Sequence, residues 1–165
     1  MRTKCTLPLL AACLATAIPA SARDSLGLYE TWGAFKDPAA PRCYAIAMAD
    51  PSARQREYQP YVAVGTWPRR QLRNQIHLRL SRAVSARTPI VLTIGSRNFA
   101  LTGGGGDAWA ANASDNAAII AAMRSTPTMH VSARDLRGRP FANYWTLAGA
   151  ASAMDAAAIG CARVD

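Results

Sequence analysis

Carboxylates are scarce in this chain. Its 165 residues hold 10 Asp and Glu, and Glu30 and Glu57 are the only glutamates. Nothing brings two carboxyl groups into one predicted cleft, so acid–base glycoside hydrolysis has no support. Histidine occurs twice, as His77 and His130, and both sit at strand positions whose neighbours face the core. There is no HExxH, GxSxG or Walker sequence. The run Gly103-Gly104-Gly105-Gly106 lacks the Gly-Lys-Ser/Thr ending of a phosphate loop and reads as a flexible loop. No catalytic residue, metal set or cofactor motif emerges, and the expectation is a protein that is not an enzyme. Long apolar runs are missing too. No segment reaches the roughly 20 residues that a membrane-spanning helix needs.

What is present is a half-apolar, basic chain. The apolar fraction is 50%, which argues against bulk disorder, and the length suits a single domain with a core of its own. Alanine is common near both ends, so that fraction overstates the supply of large core side chains. Lys and Arg total 19, nearly all of them Arg, and the formal charge is +9.

The opening is an address rather than part of the domain. Met1 to Lys4 is a short basic region, Leu7 to Ile18 is mostly apolar, and Pro19-Ala20-Ser21-Ala22 ends it with small residues. That pattern is a secretory signal peptide over residues 1–22, with cleavage expected after Ala22. A competing reading takes Leu10-Ala11-Ala12-Cys13 as a lipobox with a lipid on Cys13. Its apolar run would then be very short. Subtracting 22 residues from 165 leaves a 143-residue domain, 23–165, and losing Arg2 and Lys4 lowers the charge from +9 to +7.

Cys5 and Cys13 leave with the signal, so Cys43 and Cys161 remain. In an oxidising compartment two thiols have one intramolecular pairing. Local pattern supports it. Cys43, Ala45 and Ala47 form a low-relief strand face. Ala150, Met154, Ala157, Ala158 and Cys161 form one stripe of a helix over Gly149–Cys161. Small residues on both sides would let helix and strand approach closely.

Period-two alternation recurs along the rest. In Gln75–Ser81, Ile76, Leu78 and Leu80 face inward, with His77 and Arg79 outward. Pro89–Ser96, Tyr61–Trp67, Thr128–Arg134 and Tyr144–Leu147 also read as strands, and Leu28–Phe35 and Asn98–Thr102 as weaker ones. Gly95-Ser96-Arg97-Asn98 and Arg137-Gly138-Arg139-Pro140 read as hairpin connections. A second helix follows Ser114 as N-cap, with Asp115 in its first turn and Ile119, Ile120 and Met123 as its apolar stripe. The fold expected is a single, mostly antiparallel β domain (a sandwich or partly open barrel) with two short packed helices.

Between Glu57 and Asp107 there is no acidic residue, while Arg69, Arg70, Arg73, Arg79, Arg82, Arg87 and Arg97 fall there. Arg69, Arg70, Arg73, Arg79 and Arg82 are the candidate surface for an anionic partner, an acidic protein or anionic lipid headgroups. Nucleic acid is not expected for an exported chain. The bland alternative is scattered, solvated arginines from biased composition.

The C-terminal two-thirds resemble the invasion-associated locus B family of exported alphaproteobacterial proteins. Carrying the resemblance are Asp107-Ala108-Trp109-Ala110, Ala118-Ile119-Ile120-Ala121-Ala122-Met123-Arg124, Met129-His130-Val131, Arg137-Gly138 and Trp145-Thr146-Leu147-Ala148-Gly149. Cys43-Tyr44 and Tyr61-Val62-Ala63-Val64 match the family's opening. The chain departs from the pattern at Asn143, Ala150 and Thr126-Pro127. The resemblance implies paired cysteines and an envelope or host-cell interaction, since pathogenic members are tied to host-cell entry. It supplies no catalytic residues. The function expected is a non-enzymatic periplasmic or secreted binding protein. The rival is an inhibitor of lysozyme or protease that would insert the loop Thr102–Asp107 into an enzyme cleft.

Overall fold

A computed structural model of the chain describes residues 23–54 and 56–162. The expected signal segment 1–22, with Cys13 and the cleavage site after Ala22, lies outside the described residues. Nine strands and two helices follow in order: β1 Asp24–Tyr29, β2 Trp32–Asp37, β3 Arg42–Met48, β4 Tyr61–Trp67, β5 Leu72–Val84, β6 Ile90–Ile94, β7 Arg97–Ala110, α1 Ala113–Met123, β8 Thr128–Arg134, β9 Pro140–Thr146 and α2 Ala150–Ala162. All nine strands form one antiparallel sheet in the order β1-β2-β3-β4-β5-β7-β6-β8-β9, not closed into a barrel. Among the described residues no helix is long and apolar enough to cross a membrane.

Alternation dictates the faces. Ile76, Leu78 and Leu80 of β5, Ile90, Leu92 and Ile94 of β6, and Met129 and Val131 of β8 all point into one buried core. The sheet coils so that its last strands return over its first half. Trp32 Nε1 donates to Thr146 O at 3.0 Å, and the Asp50 N–H donates to Tyr144 O at 2.8 Å. Buried Asn143 joins the same closure, its Oδ1 accepting the Ser81 N–H at 3.0 Å.

α2 packs against β1 to β4. Cys43 and Cys161 are joined as a disulfide with Cα atoms 5.6 Å apart, closing a sequence separation of 118 residues. Ala45 and Ala47 of β3 and Ala150, Ala153 and Ala157 of α2 are all buried, and their small side chains let the two packed elements approach closely. The helix stripe runs through Ala153 rather than Ala158, which is exposed.

Four further expectations need correction. Leu28–Phe35 is not one strand but the β1–β2 hairpin, turning at Glu30-Thr31 with Glu30 held at φ 55°. The tip lacks the usual Asn-Gly signal, so the alternation reads straight through it. The N-cap of α1 is Asn112, whose Oδ1 accepts the Asp115 N–H at 2.8 Å, and Ser114 already lies inside the helix. The strand expected at Tyr144–Leu147 begins earlier, at Pro140. Gly103–Gly106 is not a loop. It lies inside β7, which pairs with β6 through Arg97–Leu101 and with β5 through Gly105–Trp109. A side chain at Gly103 would strike the backbone of Asp107 and Ala108, and Gly105 has φ +58°. The glycines are the corner at which one long strand changes partner.

The β8–β9 hairpin is locked by Asp135, whose side chain is 2% exposed. Its Oδ1 accepts the backbone N–H groups of Arg137 and Arg139 at 2.9 Å, and its Oδ2 accepts from Arg139 Nε at 2.8 Å and Arg82 Nη1 at 3.0 Å. Burial pushes this carboxyl's pKa up. The Arg139, Arg82 and Arg137 hydrogen bonds outweigh burial and hold it far below the usual carboxylate range.

Candidate functional site

The outward faces of β2, β3, β4, β5 and β7 line up in cross-strand rows. One row reads Phe35, Tyr44, Gly65, Gln75. The next reads Gly33, Ile46, Ala63, His77, Trp109. A third reads Met48, Tyr61, Arg79, Asp107. Small residues run through the middle of this face and rings surround them. That arrangement makes a hollow of about 220 Å³, floored by Ala63 and Gly65 and walled by Arg42, Tyr44, Trp67, Gln75, His77 and Trp109.

Each wall is held in place. His77 stacks on Trp109 with centroids 5.1 Å apart and meets Tyr61 edge-on at 5.6 Å. Its Nε2 is 2.9 Å from Asp107 Oδ1, and the other oxygen of Asp107 takes the Arg79 guanidinium. Arg79 in turn lies 4.0 Å over the Tyr58 ring. Trp67 folds back over Gly65, where a Cβ would stand 2.6 Å from the indole. Arg42 sits 4.7 Å over the Tyr44 ring.

Two larger depressions adjoin the hollow. Trp109 and Gln75 separate it from a groove of about 650 Å³ between the start of β5 and α1, lined by Leu72, Arg73, Asn112, Asn116 and Ile120 among others. Asn116 holds the two walls together. Its Oδ1 accepts the Ile76 N–H and its Nδ2 donates to Asn74 O, both at 2.9 Å, replacing strand pairing where β7 has ended. On the other side Arg42 is shared with a depression of about 560 Å³ lined by Lys36, Asp37, Pro38, Pro41, Arg42, Pro68, Arg69 and Cys161.

The structure divides the candidate arginines. Arg69 and Arg70, on the 3₁₀ turn Pro68–Arg70, and Arg73, at the start of β5, are exposed and make no side-chain ion pair among the described residues. Arg79 and Arg82 are paired, with Asp107 and Asp135. Of the other two arginines in the interval, Arg87 is exposed and Arg97 lies 4.9 Å over the Phe99 ring. The interval free of acids in sequence is therefore not free of them in space. Lys36 and Arg42, from distant segments, join Arg69 at the same end of the sheet. Sequence reasoning missed the aromatic hollow and Arg42. The signal for part of it was Asp107-Ala108-Trp109 alternating opposite His77-Leu78-Arg79. Both stretches put their polar and aromatic members on one face.

His77 and His130 point away from the core as expected, each stacked on a ring. The partner of His130 is Tyr144, at 5.3 Å. The segment Thr102–Asp107 lies within β7 and is not a loop available for insertion. No family model, curated protein or solved structure matches the chain.

Proposed function

We propose that this is an exported, non-enzymatic binding protein, of the kind its resemblance to the invasion-associated locus B family implies, and that it meets an anionic partner at one end of its sheet. The observation that carries this reading is the convergence of Lys36, Arg42 and Arg69 on one depression whose only carboxylate is Asp37. Asp37 is already engaged. It accepts from the Ala40 N–H at 3.2 Å and lies 3.5 Å from Arg42 and 3.7 Å from Arg23. Arg70 and Arg73 extend the positive rim. Such a field attracts polyanions and weakens as salt rises. The disulfide is compatible with an oxidising compartment.

Binding of dextran sulfate, with neutral dextran as control, tests the reading. The protein is expected to bind the sulfated polymer alone, more weakly as salt rises. The triple variant Arg69→Gln, Arg70→Gln, Arg73→Gln is expected to weaken it about tenfold or more. Binding that ignores both salt and the triple variant would remove the anionic-partner reading. N-terminal analysis of the exported chain tests the leader. A free Arg23 supports cleavage after Ala22, and an acylated Cys13 overturns it.

A further inference from the structure

The anionic-partner reading leaves the aromatic hollow without a role. A partner held by charge alone needs no ring-lined pocket beside the basic rim. The hollow, at about 220 Å³, is smaller than the roughly 300 Å³ at which pockets for drug-sized molecules begin, so it suits one ring-sized group. Its chemistry is mixed in a particular way. Trp67, which covers Gly65, and Trp109 offer apolar ring surface beside Ala63, and Tyr44 carries the Arg42 guanidinium over its ring. The remaining wall residues, Gln75, His77 and Arg42, are polar. A flat aromatic ligand would strand those polar groups. A pyranose would use both sets, because its ring faces present C–H bonds to aromatic faces while its equatorial hydroxyls need hydrogen-bond partners.

The polar groups are available. The Gln75 side chain makes no hydrogen bond among the described residues. His77 uses Nε2 toward Asp107, which leaves Nδ1. Arg42 is only partly engaged: its guanidinium lies over the Tyr44 ring and 3.5 Å from the Asp37 carboxylate, a loose ion pair, and its buried Nε has no acceptor. The Arg42 side chain stays 32% exposed and is shared by the ring hollow and the basic depression. A carboxylate on the bound ring would meet it at that junction. The rings are also pre-placed, Trp109 by its stack on the Asp107-anchored His77 and Trp67 by Gly65. Little ordering is then needed on binding.

Resting on the anionic-partner reading, we propose that the hollow walled by Trp67 and Trp109 is a subsite for one uronic-acid ring of an acidic polysaccharide. Its pyranose face lies on indole and its carboxylate faces Arg42, while the chain continues along the basic rim.

Titration of the 23–165 chain with trigalacturonate tests this, with maltotriose (rings without charge) and polyglutamate (charge without rings) in parallel. Trp32 and Trp145 are fully buried, so a tryptophan fluorescence change reports on Trp67 and Trp109. Trigalacturonate is expected to bind and shift that fluorescence, and maltotriose to bind far more weakly. Trp109→Ala should weaken trigalacturonate about tenfold, with Trp109→Phe recovering most of the loss. Gly65→Ala, which displaces the Trp67 indole without deleting it, should weaken it as well. Polyglutamate binding should be unchanged in all three variants, which also shows that they fold. Trigalacturonate binding that ignores Trp109→Ala and Gly65→Ala overturns the subsite while leaving the anionic reading intact. Failure of both trigalacturonate and polyglutamate to bind overturns both.

Discussion

Arg73 and Arg82 stand on the same strand, within the same acid-free stretch of sequence, and they do different things. Arg73 is exposed at the start of β5 and lines the groove beside α1. Arg82, near the other end, reaches the buried Asp135 and helps tie β5 to the β8–β9 hairpin. Arg79 lies between them in position and in role: it holds Asp107, which orients His77 against Trp109. A charge is neutralised or left free according to what distant strands bring opposite it. Asp107 arrives from β7 and Asp135 from the β8–β9 turn, whereas the start of β5 is met by the neutral Asn116. Runs of like charge in a sequence therefore need the sheet register before they can be read as surfaces.

The largest effect should come from the element under the open end, where Cys161 closes α2 onto β3. Replacing Cys43 and Cys161 by Ala is expected to lower unfolding stability by about 2–5 kcal/mol in chemical denaturation, because the bridge closes most of the domain. Next is the paired end. Asp135→Asn should lower the melting temperature clearly at neutral pH without changing anion binding. The sign with pH follows from the depressed folded-state pKa. The Asp135 contribution is complete above the unfolded value of about 3.9 and is lost as pH falls below it. Melting curves between about pH 6 and pH 2 should show wild type losing its advantage over Asp135→Asn across the acid limb. A constant difference would place the stabilisation elsewhere. A smaller loss, about 1 kcal/mol, is expected for Asn112→Ala, which removes the N-cap of α1. The smallest is at the open end: Arg73→Gln should change stability by less than about 0.5 kcal/mol.

Much of the fold was readable because alternation survives wherever one face is buried. The bounds of β4 and β8 match the expected Tyr61–Trp67 and Thr128–Arg134, and the inward residues of β5 and β6 are the ones the pattern assigns. The Cys43–Cys161 bridge was readable for a different reason: only two cysteines, Cys43 and Cys161, lie beyond residue 22. Failures cluster where local chemistry is atypical. Glu30 turns a hairpin from a left-handed conformation that glutamate rarely adopts, and four glycines bend a strand where a loop was expected. The site was the least legible part. Its hollow combines residues from β3, β4, β5 and β7, and only the pairing register reveals that Gly65 lies between Tyr44 and Gln75, and Ala63 between Ile46 and His77. Arg42 and Lys36 are remote from the arginine interval and joined it only in space.

On the proposed function, the exposed arginines of this segment serve binding and the paired ones serve stability. The most direct measurement pairs dextran sulfate affinity with melting temperature for two variants, Arg69→Gln with Arg73→Gln, and Arg82→Gln. The expected result is a severalfold or greater loss of affinity with unchanged melting for the first. For the second, a lowered melting temperature with unchanged affinity is expected. The same affinity loss in both variants, or a loss confined to Arg82→Gln, would contradict the account.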